Sequence, residues 1–136
     1  KFTELIFIKL FKFVTRDNEY SNLTGASWIF ISVSFIIIIF DENIAIISLI
    51  ILSLSDSFAS IVGIRYGFTK LFSKTLEGSV IFFITTSLIL ITLTSITIIK
   101  IIFISITITI VELLSKKIND NLTIPLTASI MLSLFK

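Results

Sequence analysis

The sequence predicts an all-α, polytopic transmembrane helical bundle of about five spans, with an N-terminal interfacial or partial helix. Hydrophobic residues make up 55% of the 136 residues, the mean hydropathy is +1.10, and only 15% of residues are charged. A soluble domain carries about a quarter charged residues. The apolar residues also form long uncharged runs, and a spanning helix needs about 20 of them. We therefore expect residues 1–136 to form a single integral-membrane domain.

Five apolar segments are predicted as spans, and Lys1–Val14 is predicted as an interfacial helix. Lys100 is the only charged residue between Gly78 and Val111, so we predict a helical hairpin that turns within Leu93–Lys100. Ile, Val, Thr and Phe also favour strands, but lipid excludes open sheets and these runs do not alternate as barrel strands do. The predicted spans are Leu23–Phe40, Asn43–Ile64, Gly78 to about Ile99, about Ile101 to Leu114, and Leu122–Phe135.

The distribution of basic residues orients the predicted bundle. With the residues before Leu23 in the cytoplasm, nine of the eleven basic residues fall on the cytoplasmic side and only Lys100 and Lys136 fall outside. This is a clear positive-inside bias. The cytoplasmic nine are Lys1, Lys9, Lys12, Arg16, Arg65, Lys70, Lys74, Lys116 and Lys117. Most carboxylates collect on the same face, as they would at a catalytic surface.

Composition also excludes several chemistries. The chain has no cysteine and no histidine, which excludes disulfides, thiolate nucleophiles, and histidine as a catalyst or metal ligand. A divalent metal would have to be hard and oxygen-ligated, and Mg²⁺ is the natural candidate. The net charge of +2 gives no reason to expect a nucleic-acid partner. The sequence leaves the oligomeric state open.

Asp56 is the most informative single residue, because it lies inside a predicted span that is otherwise uncharged. A carboxylate at a helix centre costs about 2.5–3.5 kcal/mol on insertion scales. Helical spacing predicts that it shares a small, polar face with Ser53, Ser60, Gly63 and Gly67. Tight helix packing explains the glycines but not the aspartate. We therefore expect Asp56 to be a metal ligand or a polar anchor.

The loop between the second and third spans carries Arg65, Lys70 and Lys74 and then enters a helix near Thr75. A helix start with free N–H groups and nearby cations suits a phosphate. Positive-inside topology with Thr75 as a helix cap explains the same residues without a ligand. No Walker A motif occurs. A nucleotide, if bound here, is bound by another design.

Two further acidic positions are predicted on the same membrane face. Glu112 shares a polar helix face with Ser105 and Thr109, although a simple pair with Lys116 also accounts for it. The segment Asn119–Asn121 is typical of a turn followed by a helix cap, but Asp120 within it is also a suitable oxygen ligand. Both acids are predicted on the same membrane face as Asp56 and Lys74, and this shared location favours a functional role for them.

The order of four motifs resembles a known family. They are LTGAS (23–27), DSFASIVGIRYG (56–67), SKTLEGS (73–79), and Val111–Glu112 followed by NDNLTIP (119–125). This series resembles the CTP-dependent lipid kinases, the family of dolichol kinase, phytol kinase and the CTP-using diacylglycerol kinase of yeast type. Family members usually have glycine where this chain has Ser55, and they carry additional N-terminal spans. We expect this chain to be an N-terminally short member or the C-terminal part of a longer protein.

The resemblance implies phosphoryl transfer from CTP to a polyprenol, a phytol-like alcohol or diacylglycerol at the cytoplasmic face, with Mg²⁺ as cofactor. It implies catalytic roles for Asp56, Lys74 and Glu112, and metal ligation by Asp56, Glu112 and Asp120. The implied nucleotide-binding residues are Gly63, Gly67, Lys74, Glu77, Gly78 and Asn121. The phosphate interpretation of the loop and helix start adds Arg65 and Thr75 to this set. The choice of CTP over ATP comes from the resemblance alone, and no residue pattern reveals the lipid.

Two other functions remain open at this point. A phosphatidate cytidylyltransferase also joins CTP chemistry to a lipid on the cytoplasmic face, but its Lys- and Asp-rich signature with His-Gly-Gly is absent. A transporter or a structural membrane subunit would use Asp56 and Glu112 as an ion path. That function does not explain why cations and acids cluster on one face.

Overall fold

The computed structural model describes residues 25–115 and 119–135, which form five helices and one short hairpin. The helices are α1 (Gly25–Ile39), α2 (Glu42–Tyr66), α3 (Leu76–Leu93), α4 (Ile98–Leu114) and α5 (Asp120–Phe135). The antiparallel hairpin of β1 (Lys70–Leu71) and β2 (Lys74–Thr75) joins α2 to α3. The predicted all-helical architecture is confirmed. The predicted helix over Lys1–Val14 and the positions of Arg16, Lys116, Lys117 and Lys136 lie outside the described residues.

Two of the described helices, α2 and α3, are long and apolar enough to cross a membrane. In their most apolar stretches only 39% and 33% of the residues are buried inside the protein. Helix α1 also exposes large apolar side chains, among them Phe30 (76% exposed) and Ile38 (82% exposed). Apolar area on this scale is typical of a membrane or protein contact. The fold therefore points to association with a membrane.

The break between α3 and α4 falls at residues 94–97, within the interval predicted for the hairpin turn. Thr94 leaves the helix with an extended backbone (φ −131°, ψ 157°). Its hydroxyl donates a hydrogen bond to the Leu90 carbonyl at 2.6 Å. Local hydrogen bonding by a threonine side chain competes with helix continuation. The two helices consequently run antiparallel and pack along each other.

Helix α2 contains one turn of π-helix at Ile51–Ser55, directly before Asp56. A π-turn inserts one extra residue and rotates the side chains that precede it relative to those that follow. Ser53 is exposed and Ser55 is fully buried. The prediction that Ser53 lies on the face of Asp56 is therefore wrong, because helical spacing assumed a regular α-helix. π-turns of this kind occur frequently at functional sites.

Hydroxyl pairs connect the helices inside the bundle. Ser129 of α5 donates to Ser48 of α2 at 2.9 Å, and Thr86 of α3 donates to Ser55 of α2 at 3.0 Å. Such hydrogen bonds between small polar residues are typical of helices packed in an apolar surrounding. Around them lies an apolar core in which α5 contacts α1, α2 and α4. Its fully buried members include Ile36, Ile51, Phe82, Leu90, Ile104, Ile108 and Ile124.

Candidate functional site

The β1–β2 hairpin places Lys74 against three helices. Leu71 pairs with Lys74 across a two-residue turn, and Phe72 in that turn has a positive φ of 56°. Two-residue hairpin turns need positive φ at a central position. The sequence predicts only a loop here, because Phe72 is not a residue that signals such a turn. The side chain of Lys74 reaches the interior of α2 at Asp56, the last turn of α4 at Glu112 and the first residue of α5, Asp120.

Lys74 Nζ lies between three carboxylates that come from three different helices. It is 2.9 Å from Glu112 Oε1 of α4, 3.1 Å from Asp120 Oδ2 of α5, and 3.6 Å from Asp56 Oδ1 of α2. These four residues are called the Lys74 cluster below. The sequence predicts all four as site residues, and the structure brings them together. Positions 56 and 120 are 64 residues apart in the sequence, so their carboxylates come close together only in the tertiary fold.

The cluster is partly withdrawn from solvent. The Glu112 side chain is 2% exposed, whereas those of Lys74 and Asp56 are 25% and 27% exposed. Burial alone would lower the pKa of Lys74, but its hydrogen bonds and charge interactions with Glu112 and Asp120 prevail and raise that pKa. Lys74 therefore remains an ammonium ion throughout the neutral range. With three carboxylates around one cation, the cluster retains the capacity to bind further positive charge.

Asp56 is the member of the cluster with unused hydrogen-bonding capacity. Its Oδ1 atom is buried and has no hydrogen-bond partner, since Lys74 Nζ at 3.6 Å is an ion-pair contact only. Glu112, by contrast, also accepts a hydrogen bond from Ser79 Oγ at 3.2 Å. A buried polar atom without a partner is costly and frequently marks a catalytic role or an absent ion or water. Asp56 Oδ1 is thus the natural acceptor for a proton or a ligand.

A cavity of about 230 Å³ opens beside the cluster, between α2, the hairpin and the start of α3. Lys74 and Glu112 form its charged wall, and small residues form most of the remainder. A cavity of this size and charge suits a small polar group. Its other lining residues are Ala59, Ser60, Gly63, Ile64, Ser73, Thr75, Gly78 and Ser79.

Glycines bring α2 and α3 close together at this cavity. A Cβ atom on Gly78 would lie 2.9 Å from the Ala59 carbonyl oxygen, and one on Gly63 would lie 2.8 Å from Thr75 Oγ1. A Cβ atom on Gly67 would clash with the Gly63 carbonyl oxygen. The glycines therefore serve close packing, as the packing interpretation of the sequence expects. Through that packing Gly63 and Gly78 also shape the wall of the cavity.

The start of α3 is capped within the chain. Thr75 Oγ1 accepts a hydrogen bond from the Gly78 N–H at 3.2 Å, which confirms the predicted cap. The Leu76 N–H donates to the Thr69 carbonyl at 3.0 Å. Two of the first N–H groups of the helix are therefore already engaged. Lys74 is consequently the principal described donor for an anion in the cavity.

Four predicted nucleotide-binding residues lie outside the cavity lining: Gly67, Arg65, Glu77 and Asn121. Arg65 is exposed in the last turn of α2. Glu77 accepts a hydrogen bond from the Thr69 N–H at 3.1 Å and so fastens the hairpin to α3. Asn121 Nδ2 donates to the Gly25 carbonyl at 3.4 Å and connects α5 to α1. Two of these residues thus have visible structural contacts of their own.

Ser79 and Thr86 have contacts that the sequence does not reveal. Ser79 is 4% exposed, lines the cavity and orients Glu112. Thr86 donates a hydrogen bond to the hydroxyl of buried Ser55. Ser79 stands one residue after Gly78 in the predicted site segment, and that proximity is the one signal that could have identified it.

The predicted metal ligands Asp56, Glu112 and Asp120 converge on Lys74 Nζ. Within residues 25–115 and 119–135, no three acidic side chains are arranged so that they could hold a metal ion directly. The ammonium group of Lys74 lies where the three carboxylates meet. The donor set itself consists of hard oxygen atoms, which match Mg²⁺.

Comparison with known proteins identifies one relevant relative. The chain is 33% identical over 144 residues to the uncharacterized protein RP860 of Rickettsia prowazekii (strain Madrid E), covering 99% of this chain and 69% of the relative. The chain belongs to the family of this Rickettsia protein. No family model matches the chain. No solved structure matches it either.

Proposed function

We propose that this protein phosphorylates a membrane lipid alcohol at the expense of CTP, with its active site on the cytoplasmic face. The observation that carries the proposal is the Lys74 cluster, in which one ammonium ion lies between three carboxylates. Lys74 and Glu112 of this cluster also line a cavity of about 230 Å³. Phosphoryl transfer depends mainly on positioning and on neutralising phosphate charge. Cations and acidic oxygens around one small cavity are the groups that this reaction requires.

Each member of the cluster has a role in this reaction. Lys74 binds phosphate oxygens of CTP as a permanent cation. The carboxylates of Asp56, Glu112 and Asp120 would hold Mg²⁺, which supplies further charge neutralisation when bound. Ser79 holds Glu112 in place through its hydrogen bond. Arg65 is exposed and directly follows Ile64, which lines the cavity. Its guanidinium would attract the phosphates of a nucleotide before the nucleotide enters the cavity.

Asp56 is the proposed proton acceptor. The hydroxyl oxygen of the lipid attacks the γ-phosphorus of CTP, the bond to the bridging oxygen breaks, and CDP leaves. The hydroxyl proton passes to Asp56 Oδ1, which is buried and has no hydrogen-bond partner of its own. A base within reach of the attacking hydroxyl contributes typically 10²–10⁴-fold, as an order of magnitude. The unpaired oxygen is what supports Asp56 over the other two carboxylates.

The membrane arrangement forms part of the proposal. All five helices are taken as spans, including α1, α4 and α5, which are shorter than α2 and α3. The bias of basic residues then directs the Lys74 cluster to the cytoplasm. CTP reaches the cavity from that side, whereas the lipid remains in the bilayer.

A double-label experiment tests the proposal. Membranes containing the full-length protein receive CTP labelled either in the γ-phosphate or in the base, together with a polyprenol, phytol and diacylglycerol. Transfer of the γ label alone supports a kinase, and Asp56→Asn should abolish it. Transfer of the base label would overturn the proposal in favour of a cytidylyltransferase. No transfer of either label, in membranes where the protein is folded, would reject both enzymes and favour the transporter or structural subunit.

A further inference from the structure

An apolar groove of about 300 Å³ runs between α3 and α4 on the outer surface of the bundle. Val80 and Phe83 of α3 face Ile106 and Ile110 of α4 across it. Thr109 also lines the groove, but its hydroxyl donates to the Ser105 carbonyl at 2.7 Å and is therefore satisfied. The part of the groove wall formed by these five residues is therefore hydrocarbon, and none of their side chains has a free polar group. We refer to this feature as the α3–α4 groove.

The inner end of the α3–α4 groove adjoins the candidate site. Ser79 lines both the groove and the cavity beside Lys74. Its hydroxyl donates to Glu112 Oε2 at 3.2 Å. A molecule in the groove is therefore separated from the Glu112 carboxylate by the side chain of Ser79. This continuity joins an apolar surface on a membrane helix to a charged, polar cavity.

We infer that the α3–α4 groove holds the hydrocarbon chain of the lipid acceptor and leads its hydroxyl past Ser79 to the Lys74 cluster. This inference rests on the proposed function and adds the route and the binding surface of the acceptor. Val80 and Ile110 remain 48% and 49% exposed, so the groove is open to a chain that arrives laterally from the bilayer. Burying such apolar surface against a lipid chain keeps the alcohol end next to the polar cavity.

The groove is short, and its length limits what it selects. From Leu76 to Phe83 it covers seven helical steps, or about 10 Å at 1.5 Å per residue. It therefore contacts only the portion of the chain nearest the hydroxyl. We expect the protein to require a chain at that position but to be indifferent to the total length of a long one.

Photocrosslinking tests occupancy without depending on catalysis. The full-length protein in lipid nanodiscs is irradiated, without CTP, with a prenol or a diacylglycerol that carries a diazirine near the hydroxyl end. Labelling of the peptides that contain Val80, Phe83 and Ile106 is expected, and Val80→Trp should remove it by filling the groove. Leu88→Trp, on the same helix at an exposed position outside the groove, should retain it. Whichever probe labels the groove identifies the source of the chain.

Kinetics separates failure of this inference from failure of the proposed function. Val80→Trp should raise KM for a long-chain alcohol by about tenfold or more, with kcat at saturation maintained, whereas Leu88→Trp should match the wild type. Lipid phosphorylation with no groove labelling, or with equal KM in the two tryptophan variants, overturns the inference and leaves the kinase standing. Groove labelling without phosphorylation rejects the kinase but supports the lipid groove.

Discussion

At the scale of single residues, the charge balance of the Lys74 cluster decides both stability and chemistry. Glu112 is almost fully buried, and its partner is an ammonium ion 2.9 Å away. A buried carboxylate that loses its partner pays the cost of desolvation without compensation. Lys74 therefore stabilises the packing of α2, α4 and α5 around Glu112. The same ammonium group also provides positive charge at the wall of the cavity.

Replacement of Lys74 by methionine should destabilise the protein and abolish activity. The buried Glu112 carboxylate would lose its cation, which costs about 3 kcal/mol, the lower end of the range because Lys74 is itself partly exposed. Thermal unfolding in detergent measures the loss, with Lys70→Met as the matched control. Lys70 is exposed four residues earlier, so its substitution should change the free energy of unfolding by no more than about 0.5 kcal/mol. Equal effects of the two substitutions would contradict the described ion pairs.

The stabilising effect of Lys74 should not depend on pH in the neutral and mildly alkaline range. Its pKa is raised above the ordinary value of 10.5 in the folded protein. A group with a raised pKa contributes its full stability below the unfolded-state pKa and loses it only as pH rises through the folded-state value. The stability difference between wild type and Lys74→Met should therefore stay constant from about pH 7 to 9.5. A difference that shrinks before about pH 9 would show that the ammonium is not held as described.

At the scale of elements, the π-turn in α2 explains why one predicted face was wrong and another was right. The predicted stripe from Asp56 to Gly63 lies after the irregular turn, where regular helical spacing applies. Ser53 lies within the turn and is exposed. Periodicity in the sequence carries no signal for a π-turn, because it assumes regular helical spacing throughout the segment. Ser55 is buried instead and bonds to Thr86 of α3.

The close approach of α2 and α3 at Gly78 supports a prediction at the scale of elements. In Gly78→Ala the new methyl group would lie 2.9 Å from the Ala59 carbonyl oxygen, a backbone atom that cannot move cheaply. Overpacking of this kind costs typically about 1–3 kcal/mol. The separation of the helices should also displace the cavity wall, so activity should fall together with the unfolding temperature.

Gly25→Ala is the matched control for that substitution. Its methyl group would meet only the flexible Asn121 side chain, at an ordinary 3.4 Å. We expect little change in unfolding temperature from this variant. If Gly25→Ala destabilised the protein as much as Gly78→Ala, tight packing between α2 and α3 would not be the reason for the glycine at position 78.

At the scale of the whole molecule, apolar runs and charge placement predicted the helices and the membership of the cluster. Each described helix overlaps its predicted segment, and the break at 94–97 falls within the interval Leu93–Lys100 that was predicted for it. Asp56, Lys74, Glu112 and Asp120 were expected on one face because spans alternate in direction. The distances between them could not be predicted, since they depend on a hairpin with an unusual Phe72 and on helix packing. The roles of Arg65, Glu77 and Asn121 likewise depend on side-chain contacts that spacing does not encode.

The orientation of the bundle gives the last prediction, and the absence of cysteine from the sequence makes it testable. Helix α3 rises about 27 Å over its 18 residues, close to the thickness of a bilayer core. Ser73 at one end and Ser95 at the other should therefore lie on opposite faces of the membrane. In Ser73→Cys and Ser95→Cys, both exposed conservative replacements, a membrane-impermeant maleimide should label only Ser95→Cys in intact cells and only Ser73→Cys in inside-out vesicles. The reverse pattern would place the Lys74 cluster outside the cytoplasm, away from CTP, and labelling of both variants from one side would mean that α3 does not cross the membrane.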